Sequence, residues 1–201
     1  MSLPPPDLLP GHAAALAART AARAAAEGLA ELAYARVDSP VGRLVAITTP
    51  RGLARLAYEL ENGGLDGVLD DVARRLSPAI VEAPRRLDDV RRELEEYFEG
   101  RRRDFDLALD MALVRTPFGR GVLRAAAEIP FGATSTYRQV AVAAGSPSGF
   151  RAAGNALGSN PIPIVVPCHR VLASDGGLGG YTGGLERKRL LLAIEGGMLP
   201  V

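Results

Sequence analysis

Thr134 to Leu157 reads TSTYRQVAVAAGSPSGFRAAGNAL. Thr134, Ser135 and Thr136 offer hydroxyls that can cap a helix, and Tyr137, Val140, Ala141 and Ala144 follow at helical spacing up to Gly145. Ser146-Pro147-Ser148 breaks the run, and a further helix is expected from Gly149 to Leu157. Two helices joined by a turn containing glycine form the pattern of a DNA-binding helix-turn-helix. The second consists of small residues after Arg151, so its surface can approach a phosphodiester backbone closely; the same composition suits a tightly packed core helix equally well. Upstream, Pro117 opens a helix expected to run to Glu128, and Pro130-Phe131-Gly132 turns the chain into the capping segment.

The first half follows a different pattern. Tyr34–Val37, Leu44–Thr49 and Leu53–Leu60 are short apolar runs separated by Ser39-Pro40-Val41-Gly42 and Pro50-Arg51-Gly52, which predicts three antiparallel strands. Leu65–Leu76 and Leu87–Phe98 carry apolar residues at helical spacing, and Phe105-Leu107-Leu109 alternates as a strand or linker. The alanine-dominated stretch His12–Ala33, after a Pro-rich opening, predicts a helix. The expected fold is therefore α/β. An N-terminal extension (1–32) precedes a small domain of sheet and helix (33–110), and a mainly helical domain carries the helix-turn-helix (111–201).

Composition narrows the function classes. The chain of 201 residues is 47% hydrophobic and 23% charged, enough for a real core, and its apolar runs are too short for a membrane span. Residues 1–110 hold 15 basic and 19 acidic side chains, whereas residues 111–201 hold 9 and 4, a net of +5. Basic excess confined to one half is what a polyanion-binding module shows. The single cysteine, Cys168, excludes an internal disulfide and a Cys-rich zinc site, and points to a reducing, cytoplasmic setting. No metal or cofactor is expected.

That cysteine ends a distinctive segment, NPIPIVVPCHRV (Asn160–Val171), in which three prolines stiffen an apolar run that delivers the thiol beside His169 and Arg170. An imidazole that accepts the thiol proton, with a cation near, favours the nucleophilic thiolate. A third group should orient the imidazole; of the downstream acids Asp175, Glu186 and Glu195, Glu195 at the end of a Leu-rich helix has the position for it. Adjacent Cys and His side chains point to opposite faces of an extended segment, so a turn or a bridging water is required between them.

PCHRV, preceded by Asn160-Pro161 and followed by GGYTGG (Gly179–Gly184), resembles the O6-alkylguanine-DNA alkyltransferases, also called methylated-DNA–protein-cysteine methyltransferases. The agreement runs in order from Thr116-Pro117-Phe118 through Ile129-Pro130-Phe131-Gly132, Tyr137 and Arg151-Ala152-Ala153-Gly154 to Glu195-Gly196. It extends more weakly to Asp38–Leu44 and Arg102–Leu107. The resemblance implies a suicide DNA repair protein that moves the alkyl group of O6-alkylguanine onto Cys168, once per molecule. It further implies activation of Cys168 by His169 through a water, orientation of His169 by Glu195, and bracing of the loop by Asn160. Tyr137 would serve the leaving base as proton donor. Arg151 would fill the gap left by a base flipped into the pocket, with Ala152, Gly154, Thr136 and Arg138 along the DNA. Tyr137, Pro163, Val171, Tyr181, Thr182 and Gly183 would line the pocket. Asn155 stands where a second glycine is usual on the recognition helix. The implied partner is double-stranded DNA containing O6-alkylguanine, met by a monomer with no membrane association. The alternatives are a non-catalytic alkylguanine-binding protein or regulator of the same fold, and a cysteine hydrolase.

Overall fold

The computed structural model describes residues 31–196. Most of the alanine-rich stretch expected to be helical lies outside them, and its described end corrects the expectation: Leu32 and Ala33 begin a strand. This strand, β1 (Leu32–Val37), pairs antiparallel with β2 (Leu44–Thr49), which pairs antiparallel with β3 (Gly52–Tyr58). A short strand not foreseen from sequence, β4 (Ile80–Glu82), joins β1 in parallel, giving the order β3-β2-β1-β4. Helices α1 (Gly64–Arg75) and α2 (Asp88–Phe98) cover opposite faces. Period-2 alternation sorts β2 between them: Val45 and Ile47 pack with Val68 and Val72 of α1, whereas Leu44 and Ala46 join Leu94 and Tyr97 of α2.

The edge strand β3 is not left open. Leu53 N–H donates to the Ala108 carbonyl at 2.8 Å and its carbonyl accepts from Asp110 N–H, so the Leu107–Leu109 segment runs beside the strand. Gly52 is required there: its φ is +135°, and a Cβ would stand 2.2 Å from the Ala108 oxygen. Farther along the same edge Leu56 N–H donates to the Pro161 carbonyl, which anchors the segment leading to Cys168 directly on the sheet.

The second half is helical: α3 (Pro117–Ala127), α4 (Tyr137–Ala143), α5 (Phe150–Gly158) and α6 (Leu185–Ile194). Thr116 caps α3 by accepting from Gly119 N–H, and Pro117 occupies its first turn. Thr136 caps α4 in a reciprocal capping box with Gln139. Ser135–Thr136 and Val171–Leu172 form a small parallel pair, β5 and β6. One apolar core runs without interruption from Leu44, Leu56 and Leu94 to Val122, Leu157, Ile162 and Leu191, so the site is built where the halves share packing. No described helix is long and apolar enough to cross a membrane.

Candidate active site

Between α5 and the cysteine the backbone makes a tight buried turn. Asn160 braces it from both ends: its Nδ2 donates to the Val166 carbonyl at 2.8 Å and its Oδ1 accepts from Ile162 N–H at 3.0 Å. Val166 N–H closes the same loop onto the Ile162 carbonyl. Inside it Ile164 sits at φ +75°, costly by about 1–3 kcal/mol for a β-branched residue and tolerable only where the surroundings over-determine the backbone. Prolines 161, 163 and 167 have no N–H to satisfy, which suits a buried irregular segment.

Cys168, His169 and Arg170 then form a single 3₁₀ turn, so adjacent side chains diverge from one curved backbone. The thiol faces a cavity of about 30 Å³ lined by Asn160, Pro163, Tyr181, Thr182, Gly183, Tyr58 and Arg55 among others. That volume is room for about one water, not for a purine. Burial pushes the Cys168 thiol above its ordinary value; the Asn160 side chain and the Lys188 charge oppose this without overcoming it.

Behind the turn lies the buried carboxylate of Glu195, reached by four residues. Its Oε1 accepts from Tyr97 Oη at 2.7 Å, His169 Nε2 at 2.8 Å and Arg170 Nη2 at 2.9 Å. Its Oε2 accepts from Arg170 Nε at 2.8 Å and Gly132 N–H at 3.3 Å. Burial alone would raise this carboxyl, but the hydrogen bonds from His169 and Arg170 and the charge of Arg170 pull it down to about 2. An ionised carboxylate only accepts, so His169 must carry its proton on Nε2. Burial depresses the His169 pKa, so the ring is neutral and Nδ1 presents a lone pair. Nδ1 is buried and has no hydrogen-bond partner in the protein. The arrangement is a neutral imidazole locked by one nitrogen, with the other ready to take a proton.

The other expected site residues fall in two further places. Tyr137, Arg138 and Gly154 line a separate cavity of about 350 Å³ with Phe150, Ala173 and Ser174. Tyr137 donates to the Gly180 carbonyl at 3.2 Å, and a Cβ on Gly179 would stand 2.7 Å from its hydroxyl, so the ring packs against the glycine-rich segment rather than lining the thiol cavity. Arg151 and Ala152 are exposed on α5, and Arg138 and Arg151 both approach the Phe150 ring at 5.6 Å. Val171 does not line the thiol cavity: it is fully buried in β6, its carbonyl accepting from Lys188. Arg170, expected as a cation favouring the thiolate, is committed to Glu195 and the Ile129 carbonyl.

Three contributors escaped the sequence reading. Tyr97 looked like one more apolar position of α2. Lys188, the only lysine of the chain, is fully buried in α6. Its ammonium donates to the Val171, Leu178 and Gly180 carbonyls, and burial lowers its pKa to about 8. Tyr58 shares a 2.7 Å hydroxyl hydrogen bond with Tyr181 across the mouth of the thiol cavity. A lone lysine within a leucine run was the one signal available.

Comparison with known proteins matches both halves to family models. Residues 32–111 match the 6-O-methylguanine DNA methyltransferase, ribonuclease-like domain, and residues 117–197 the 6-O-methylguanine DNA methyltransferase, DNA binding domain. A methylated-DNA–protein-cysteine methyltransferase of Methanosarcina barkeri is 39% identical over 163 residues, covering 81% of this chain and 96% of the relative. One from Mycobacterium bovis is 44% identical over 179 residues, covering 83% and 94%. Among solved structures, OGT of Mycobacterium tuberculosis in complex with DNA superposes with a TM-score of 0.70 at 36% identity, covering 81% of this chain and 92% of that one.

Proposed function

Because the chain belongs to the O6-methylguanine DNA methyltransferase family, we propose that it is a DNA repair protein that transfers the methyl group of O6-methylguanine in duplex DNA irreversibly to its own Cys168. The observation that carries this reading is a thiol lining a cavity on the same 3₁₀ turn as a neutral, Glu195-locked histidine whose buried Nδ1 has no partner in the protein.

The chemistry balances with the residues present. The Cys168 thiol gives its proton, through a water, to His169 Nδ1. The sulfur attacks the methyl carbon, an S–C bond forms, the C–O6 bond breaks, and its electron pair leaves with the base. The guanine then takes up one proton, with Tyr137 as donor, so that an alkylated cysteine and an intact guanine remain. A proton on His169 is stabilised by the adjacent carboxylate, which explains why Glu195 is kept ionised in a buried place. Among the described residues no group is placed to break the S–C bond of the thioether and restore the thiol, so in this reading each molecule acts once.

Access demands two motions. The base leaves the duplex, with Arg151 filling its place from the start of α5. The segment Gly179–Gly184 swings away from the thiol, since the present cavity is one water in size. Thr182, whose hydroxyl donates to the Gly158 carbonyl, latches that segment to the end of α5, so DNA docked on α5 meets the latch directly. In this reading residues 33–110 support the site, residues 111–201 carry DNA binding and transfer, and the protein works as a cytoplasmic monomer.

The test is intact mass after incubation with a duplex containing O6-methylguanine. One added methyl per molecule, mapped to Cys168, is expected. Unchanged mass with tight, lesion-selective binding would instead identify a non-catalytic alkylguanine-binding protein.

A further inference from the structure

A third cavity, of about 450 Å³, opens between β3, the end of α1 and the first turn of α3. Three arginines line it: Arg55 from β3, Arg75 from the last turn of α1, and Arg115 immediately before the α3 cap. None of its lining residues is acidic. Arg75 is held by Asp71 and the Leu113 carbonyl, whereas Arg115 is exposed and makes no ion pair among the described residues. Arg55 is the informative one. Its Nη2 donates to Asn62 Oδ1 at 2.9 Å, but its Nε is buried with no partner in the protein. Burial lowers its proton affinity; the Asp71 charge opposes this, and the weaker effect of Arg75 acts with burial. A half-buried guanidinium whose Nε is closed off from water without a partner keeps an unused donor, and an anion completes it. The first turn of α3, with Thr116 on the cavity wall, adds the positive end of a helix dipole.

The neighbours of this crevice identify the anion. Arg55, Asn160 and Thr182 belong both to its wall and to the wall of the thiol cavity, and Gly158 and Ser159 at the end of α5 complete it. A strand whose base enters the thiol cavity must carry its backbone past this mouth. We propose that the Arg55–Arg75–Arg115 crevice binds a phosphodiester of the lesion-bearing DNA strand, so that the sheet half of the protein shares in holding the DNA. This rests on the reading of Cys168 as acceptor from a flipped base.

The proposal is tested by equilibrium binding of the full-length Cys168→Ala chain to an O6-methylguanine duplex over a salt series, with and without Arg115→Glu. The reversal should weaken binding roughly tenfold near 0.1 M salt and reduce the slope of log affinity against log salt by about one. Arg74→Glu, the same charge change on α1 outside the crevice, should leave both unchanged. Arg55→Met should act in the same direction as Arg115→Glu, with a melting curve to show that it folds; Arg115 is exposed, so its variant does not depend on that outcome. Equal effects of Arg115→Glu and Arg74→Glu would overturn the proposal, as would no effect of either. So would protection of the wild-type fold by inorganic phosphate that Arg115→Glu abolishes while DNA affinity stays constant, which would assign the crevice to small anions. Methyl transfer by the Cys168-intact parent separates the two levels: transfer without an Arg115 effect removes the crevice and leaves the acceptor assignment standing.

Discussion

On the Glu195 side of the Cys168–Arg170 turn, a carboxylate is saturated by tyrosine, histidine, arginine and a backbone amide. On the thiol side, two tyrosine rings, two asparagines and Gly183 are among the residues that enclose a space the size of a water. The first arrangement has one geometry, because moving any donor leaves a buried charge under-solvated. The second has few polar contacts to lose, and its glycine-rich wall is held by a hydroxyl latch and a lysine that donates to carbonyls. A thiol that must receive a bulky base and yet deliver its proton to a fixed acceptor needs both kinds of wall. Under the proposed function, the difference separates a side that stays rigid from a side that opens.

The largest effect separates the sides completely. Cys168→Ala removes the acceptor and leaves the Glu195 centre intact, so methyl transfer to protein should vanish, read by mass, while duplex binding and melting temperature stay close to the parent. Residual transfer to another residue would remove Cys168 from its role.

Glu195→Gln acts on the rigid side. It leaves the Arg170 guanidinium buried without its charge partner and presents an amide to donors that need an acceptor, a loss of about 3–5 kcal/mol. The carboxyl is depressed in the folded state, so its stabilisation is present above the unfolded value near 4.5 and is lost as pH falls towards about 2. Chemical denaturation between pH 6 and 3 should show that acid limb in the parent and a flatter one in the variant. Equal limbs would mean that the network contributes nothing specific.

Arg151→Ala touches neither wall. It should slow transfer from duplex DNA by roughly tenfold or more, because an unfilled gap in the stack costs a few kcal/mol, and affect free O6-methylguanine base far less. Equal losses on both substrates would instead make Arg151 a part of the pocket, and the division between opening and rigid sides would need redrawing.

These two sides were unequally legible in the sequence. Cys168, His169 and Asn160 lie within one ordered motif, and Glu195 was reachable because downstream acids are few. The strands β1–β3 and the helices announced themselves by period and by turn residues. What stayed hidden depends on distant partners. β4 is three residues long beside prolines and exists only because β1 offers it a ladder. Arg170 could be read as a cation beside the thiol, yet its direction follows from the 3₁₀ turn and from the end of α6, 25 residues away. Tyr97 lies 98 residues from Glu195, and no local pattern distinguishes its buried hydroxyl from a phenylalanine edge.

Tyr97→Phe therefore makes the finest test of the comparison. The substitution removes one donor from Glu195 and keeps the ring that packs against Phe98, Phe105 and Phe131. Because His169, Arg170 and Gly132 still satisfy the carboxylate, the cost should be about 1–2 kcal/mol, the lower range for a hydrogen bond to a charged group, and far below that of Glu195→Gln. The hydroxyl also favours the ionised carboxyl, so its loss should move the acid limb to higher pH while leaving methyl transfer near neutrality almost unchanged. If transfer fell as far as in Glu195→Gln, the sheet half would be setting the position of the histidine itself, through the only hydroxyl that α2 sends into the site. If neither stability nor the acid limb moved, the carboxylate would be held by the helical half alone, and the contact with α2 would be packing without electrostatic consequence.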